Sequence, residues 1–293
     1  MDLVIGANGK LGRRVVASLL DNDRARPAVF VRDVESARQN FGNQVDIRAG
    51  DLNDPASILA AMEDVQNILI CSPVHPHQVR QHNAVIDAAK QAGIAYIVKV
   101  SGLATFPGSY VDSGRWHSET EAYLADSGLR FTCLQPYFFM QNLGFQKARV
   151  LQSGKLHSGV AHAKIAMVDT GDIADAVTAL FADPDLAPDE TLPLTSRRAL
   201  SYDEIASVMS SAWGIPVEFE PLSQEMMQDN LKKSGQPEWH IRILLQFNRA
   251  FTEGLGSQPH PALEKVLGRQ PLELEESLKG AGVRAEDTDP FPS

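Results

Sequence analysis

Between residue 2 and about residue 135, short apolar runs alternate with stretches whose apolar residues recur at helical spacing. Leu3–Ile5, Ala28–Val31, Val45–Arg48, Asn67–Cys71, Tyr96–Ser101 and Arg130–Gln135 have the length and composition of strands. Lys10–Asp21, Pro55–Met62, Gln78–Gln91 and Ser118–Asp126 predict helices between them. Strands that are apolar throughout and separated by helices belong to a parallel sheet covered on both faces. The fold class this predicts is α/β, a Rossmann-type doubly wound parallel sheet.

The pattern loosens after about residue 140. Thr191–Leu194 reads as a strand, and Ser201-Tyr202-Asp203-Glu204 has capping-box spacing at the head of a helix running to Trp213. Trp239–Gly254 and Pro271–Leu278 read as later helices. The organisation expected is a sheet domain over 1–140 and a smaller, mostly helical portion over 141–280, its chain free to interleave with the first. The acidic, proline-rich tail 281–293 is expected to be disordered.

Composition narrows the classes. With 27 basic and 37 acidic residues the formal charge is −10, which weighs against direct nucleic-acid binding. Cys71 and Cys133 both sit in apolar runs and read as buried strand residues, not as a disulfide or zinc site. No apolar run approaches the roughly 18–20 residues of a membrane span, and a strand begins almost at once with no leader ahead of it. A cytoplasmic protein is the expectation.

Gly6-Ala7-Asn8-Gly9-Lys10-Leu11-Gly12 lies between the first strand and the first helix. A turn without bulky side chains lets backbone N–H groups approach a pyrophosphate, and the helix N-terminus adds partial positive charge. Gly12 permits close packing of helix on strand. About twenty residues on, the second strand ends at Arg32-Asp33, where the adenosine ribose is read. Arg32 favours a 2′-phosphate, so NADP(H) is the preferred cofactor; Asp33 keeps NAD(H) open. Asp51 and Leu52 follow the third strand, where an Asp can meet the adenine amino group. Cys71-Ser72-Pro73 closes the fourth strand beneath the adenosine or pyrophosphate, and Lys99-Val100-Ser101-Gly102 ends the fifth near the expected nicotinamide.

These residues, with Arg115-Trp116-His117-x-x-x-Glu121, Pro136-x-x-Phe139-Met140-x-Asn142 and Val168-Asp169-x-x-Asp172-Ile173-Ala174, make the chain resemble the NmrA-like group of atypical, extended short-chain dehydrogenases/reductases. The group includes NADPH-dependent quinone and azo reductases and redox sensors that bind the dinucleotide without turnover. The resemblance implies that Pro136, Tyr137, Phe138 and Phe139 contact the nicotinamide half. It also places His117 where some relatives carry a cofactor-contacting lysine. One departure stands out: the Tyr-x-x-x-Lys pair of ordinary members is missing, since Gly114 stands four residues after Tyr110. The usual apparatus for alcohol–ketone interconversion is therefore lacking.

His117 is open to three roles: proton donor, contact to cofactor or substrate, or a structural hydrogen bond at the start of a helix. Ser101 is positioned to polarise a carbonyl. His75, His77 and His82 lack carboxylates or thiols at ligand spacing, so no metal is expected. Two functions lead, and an isomerase or lyase that uses the cofactor only structurally stays open beside them. One is an NADPH-dependent reductase of a small apolar electrophile, of quinone, enone or azo type. The other is a dinucleotide-sensing regulator whose partner is a protein.

Overall fold

The computed structural model describes residues 1–22 and 24–280, so the tail expected to be disordered lies outside the described residues. The first part of the chain runs β1 (Asp2–Ile5), α1 (Lys10–Asp21), β2 (Ala28–Val31), α2 (Val34–Phe41), β3 (Asp46–Ala49) and α3 (Pro55–Ala60). It continues with β4 (Asn67–Ile70), α4 (Gln78–Ala92), β5 (Tyr96–Val100), α5 (Asp112–Ala125) and β6 (Arg130–Pro136). Next come a 3-10 segment (Met140–Gln146), α6 (Lys147–Ser153), β7 (Lys155–Ser158), β8 (Ile165–Ala166), α7 (Thr170–Ala182) and β9 (Glu190–Leu194). The last elements are β10 (Ala199–Leu200), α8 (Tyr202–Trp213), β11 (Glu218–Pro221), α9 (Gln224–Lys233), α10 (Glu238–Thr252), α11 (Ala262–Leu267) and α12 (Leu274–Lys279).

Seven strands form one parallel sheet in the order β3-β2-β1-β4-β5-β6-β9. Alternate residues feed two cores. Leu3 and Ile5 join Ile68, Ile70, Val85, Ile86 and Leu124 under α4 and α5. Val4 faces the other way, with Val29, Leu69, Val98 and the buried sides of α1 and α7. The strand order reverses between β1 and β4, so their loops leave toward opposite faces and open a crevice at the C-terminal edge.

A second lobe holds its own core of Met140, Leu143, Leu156, Ile205, Met209 and Phe251. There β7 pairs with β11 and β8 with β10. The capping box at Ser201 is formed: Glu204 N donates to Ser201 Oγ at 3.2 Å and Ser201 N to Glu204 Oε2 at 2.7 Å. The lobes share the chain. α7 returns to lie on α1, where Thr178 Oγ1 donates to Ser18 Oγ at 3.0 Å, and β9 supplies the sheet's seventh strand.

The structure departs from the sequence pattern in a few elements. α5 begins at Asp112 rather than Ser118, because Gly114, a residue that ordinarily weakens a helix, allows a close approach. A Cβ there would fall 2.2 Å from the Ala104 carbonyl oxygen. α2 and α7 have no counterpart in the pattern reading. α2 shows only Ala37 and Phe41 buried in a polar stretch, and α7 is buried on nearly every side, so neither presents a clean stripe. Pro271–Glu273 precede the last helix instead of opening it. Among the described residues no helix is long and apolar enough to cross a membrane.

Candidate cofactor and active site

Close approach shapes the first loop. Gly6 has φ of +88°, and a Cβ on it would fall 1.7 Å from the Cys71 carbonyl oxygen at the end of β4. A Cβ on Gly12 would lie 2.2 Å from the Gly6 carbonyl oxygen, so α1 starts flush against the turn. Gly9 differs: its Cβ would meet only the Gly6 oxygen, at 3.2 Å. Gly9 heads α1 without a side-chain cap, and the first turn has no acidic residue. The positive end of the helix therefore opens into the crevice with no carboxylate of its own turn to neutralise it. Ala7 and Leu11 are buried beneath the loop. Lys10 lays its ammonium 4.0 Å over the ring of Phe145, a residue of the 3-10 segment that no sequence motif marks.

At the end of β2, Arg32 and Asp33 have separate surroundings. The Asp33 carboxylate caps α2, accepting from Ser36 N at 2.9 Å. Arg32 is exposed, and among the described residues no hydrogen bond or ion pair holds its guanidinium. Asn8 Nδ2 donates to the Asp33 carbonyl at 3.1 Å, and Asn40 Nδ2 to Asn8 Oδ1 at 3.3 Å, tying the glycine turn to α2. Asp51 Oδ1 accepts from both Asn53 nitrogens, at 2.7 and 2.8 Å, while Leu52 packs into the core below. After β4, burial pushes the Cys71 thiol up to about 12, so it stays protonated and unreactive. Ser72 turns inward to His82 Nε2 at 2.7 Å.

The Pro136–Phe139 loop is pinned from below. Val168 N donates to the Phe138 carbonyl at 2.8 Å, Met140 N donates to the Val168 carbonyl at 3.0 Å, and Phe138 meets Phe251 of α10 edge-on at 5.9 Å. Tyr137 is half-buried in the second lobe's core.

Behind Ser101 lies a buried polar nest between α4, α5 and the ends of β4 and β5. Lys99, wholly inaccessible, donates to Ser101 Oγ at 2.7 Å, and its Nζ lies 3.2 Å from His117 Nδ1. Gln78 Nε2 lies 2.8 Å from the same nitrogen. His117 stands in the second turn of α5, not at its start, and is buried. Burial first, then the charges of Lys99 and His82, holds its pKa well below the ordinary histidine range, so the ring is neutral at pH 7. His82 is held down by burial and by Lys99. Burial also lowers the Lys99 pKa, with Cys133 and Glu121 opposing. Gln78 Oε1 and His82 Nδ1 are buried without a partner among the described residues. The sequence motifs mark His117 and Ser101. Lys99 enters only as part of the stretch closing β5, without a role, although a lone charge inside an apolar strand is a signal.

The three clustered histidines part company. His82 points into the nest. His75 and His77 sit on the rim 4.8 Å apart, with His75 5.6 Å from Trp239 of α10. Tyr110 donates to Glu253 Oε2 at 2.7 Å.

The model of the NmrA-like family matches residues 3–280. An NAD(P)H azoreductase of Xenophilus azovorans is 33% identical over 238 residues, 81% of this chain and 82% of that protein. Escherichia coli NADPH-dependent quinone oxidoreductase, solved with NADPH, superposes with a TM-score of 0.85 at 26% identity, covering 95% of this chain and 98% of that one. Citrobacter sp. triphenylmethane reductase, solved with NADP(H), also gives 0.85, at 25% identity and coverage of 95% and 99%.

Proposed function

Because the chain belongs to the NmrA-like family, we propose that it is an NADPH-dependent reductase of a small, apolar electrophile such as a quinone, an enone or an azo compound. One arrangement carries this reading. The uncapped glycine turn and the uncommitted Arg32 follow β1 and β2, and Ser101 with the Pro136–Phe139 loop follows β5 and β6, on opposite sides of the β1/β4 switch. This donor set fits an anionic dinucleotide. The turn at Gly6–Gly12 holds the pyrophosphate, Arg32 the 2′-phosphate, and Asp51 and Leu52 flank the adenine. Cys71, Ser72 and Pro73 floor the middle of the crevice. NAD(H) binds the same way but without the Arg32 contact, and hence more weakly.

When bound, the cofactor supplies a hydride at its nicotinamide ring. The chain's own part is to hold the acceptor against that ring, exclude water with the aromatic loop, and stabilise the oxygen or nitrogen that gains charge. Tyr110 is committed to Glu253, and no lysine follows it by four residues, so no phenol is set up as a strong acid for ketone chemistry. A strongly electrophilic acceptor needs less acid assistance.

NADPH oxidation measured against a panel of quinones, activated enones and azo dyes should show turnover, with none for simple secondary alcohols in reverse. Tight NADPH binding with no turnover of any acceptor would instead favour a sensor. A pull-down with oxidised and reduced cofactor would then seek its protein partner.

A further inference from the structure

Lys99 is a buried lysine that the binding of a dinucleotide does not explain. Its side chain is fully enclosed, and among the described residues no carboxylate lies within ion-pair distance of it. Burying a charge in that way is costly, and structural lysines normally extend to solvent or pair with an acid. The ammonium is instead spent on Ser101 Oγ at 2.7 Å and His117 Nδ1 at 3.2 Å. The groups facing it from the elements packed around it are His82 on α4, His117 and Glu121 on α5, and Cys133 on β6. Glu121 is itself engaged by Gln135 Nε2 at 3.1 Å. Since Lys99 has no lone pair while charged, His117 Nδ1 is the acceptor and the proton of the neutral ring sits on Nε2.

From this geometry we infer that Lys99 is a positioning residue that recharges the Ser101 hydroxyl with a proton during reduction, with His117 holding the ammonium in line and Gln78 holding the His117 ring. The inference rests on the reductase reading. As the acceptor gains a hydride and its oxygen becomes negative, the Ser101 O–H bond breaks and its proton passes to that oxygen. An N–H bond of Lys99 breaks in turn, its proton restores the serine hydroxyl, and Lys99 is left a neutral amine. Water protonates the amine when product leaves. One hydride and one proton are consumed per acceptor, which balances a quinone going to its hydroquinone. Burial makes the ammonium a readier acid than a surface lysine. His117, already neutral and accepting at Nδ1, is the poorer source.

The test compares wild type with Lys99→Met, Lys99→Arg and Ser101→Ala. In cofactor-free protein, nitrogen-15 NMR of the histidines should show His117 titrating well below the ordinary histidine range. In Lys99→Met its pKa should rise by about one unit or more as the neighbouring charge is removed. In the quinone assay Lys99→Met should lower kcat about 10²-fold with NADPH affinity by fluorescence unchanged, and the pH profile of kcat should lose its alkaline fall. Lys99→Arg keeps the charge but cannot release a proton, so it should restore the His117 titration and not kcat. Ser101→Ala should lose as much as Lys99→Met, and the double variant little more. Full activity in Lys99→Met, or rescue of kcat by Lys99→Arg, overturns proton delivery while leaving the reductase reading intact. If Lys99→Met does not fold, undiminished kcat in Ser101→Ala overturns it equally. A wild type that reduces no acceptor removes the reductase reading and this inference with it, whatever the NMR shows.

Discussion

Arg32 and Asp33 are adjacent and oppositely charged, and the backbone assigns them different work. Asp33 is spent on the N-terminus of α2, which leaves Arg32 uncommitted and, under the proposed function, the residue that meets the ribose. Charge-assisted contacts contribute about 1.5–3 kcal/mol. Arg32→Ala should therefore weaken NADPH roughly ten- to a hundredfold and leave NADH nearly unchanged in calorimetric titration. Equal losses for the two cofactors would remove Arg32 from the 2′-phosphate. Asp33→Ala should lower stability by about 1 kcal/mol in urea unfolding, the usual cost of a lost cap, with little change in cofactor preference. At this scale the sequence is half legible. Arg32 stands out because it follows an apolar strand at the right distance from Gly12. The cap role of Asp33 is hidden, because an acid there reads a ribose in other chains and only the following helix decides between the two. Lys99, Gln78 and His82 are hidden for another reason. They meet only because β4 and β5 are neighbours, and no local spacing expresses that.

At the scale of elements, the seven strands of the main sheet were the legible part, since a strand buried on both faces is apolar throughout. By contrast, β7, β8, β10 and β11 run only two to four residues and were missed. Helices were legible when they carried one apolar stripe. The polar α2 and the enclosed α7 carry none, and the start of α5 was obscured by Gly114. The turn before α1 shows what such glycines are for, and it separates two kinds of damage. Gly6→Ala combines a left-handed backbone with a collision against the Cys71 carbonyl. It should cost about 2–5 kcal/mol of stability, read as an earlier urea midpoint. At Gly9 an added Cβ meets only one oxygen, at 3.2 Å, so Gly9→Val should remain folded by circular dichroism while losing both NADPH and NADH in fluorescence titration. Retained binding would show that Gly6–Gly12 is not the phosphate cradle.

Across the whole molecule, α10 is fastened to α5 by Asp112, whose carboxylate accepts from Arg242 Nε at 2.6 Å and Arg115 Nη2 at 2.8 Å. Burial pushes the Asp112 pKa up, but the two guanidinium groups outweigh it and the net shift is downward. A depressed folded-state pKa means stabilisation that is present above the unfolded value, about 3.9. It is lost as pH falls through the folded value. Asp112→Asn should thus cost about 1–2 kcal/mol in urea unfolding at pH 7, and the difference from wild type should shrink toward zero as pH falls below about 3.9. A constant difference over that range would assign the contact no ionic character. The return of α7 and β9 to the sheet was not legible, because a strand's sequence does not say which sheet it joins. That return has a mechanical consequence. A lid on one hinge can swing freely, but here the polypeptide passes between the lobes repeatedly, like a lacing, and every pass would have to bend at once. Wide opening is thereby resisted, and acceptor entry falls to whatever can loosen alone. α9 buries none of its residues fully and is tied to α10 where Asn248 Nδ2 donates to Met227 Sδ at 3.0 Å, so it is a lightly held stitch in that lacing.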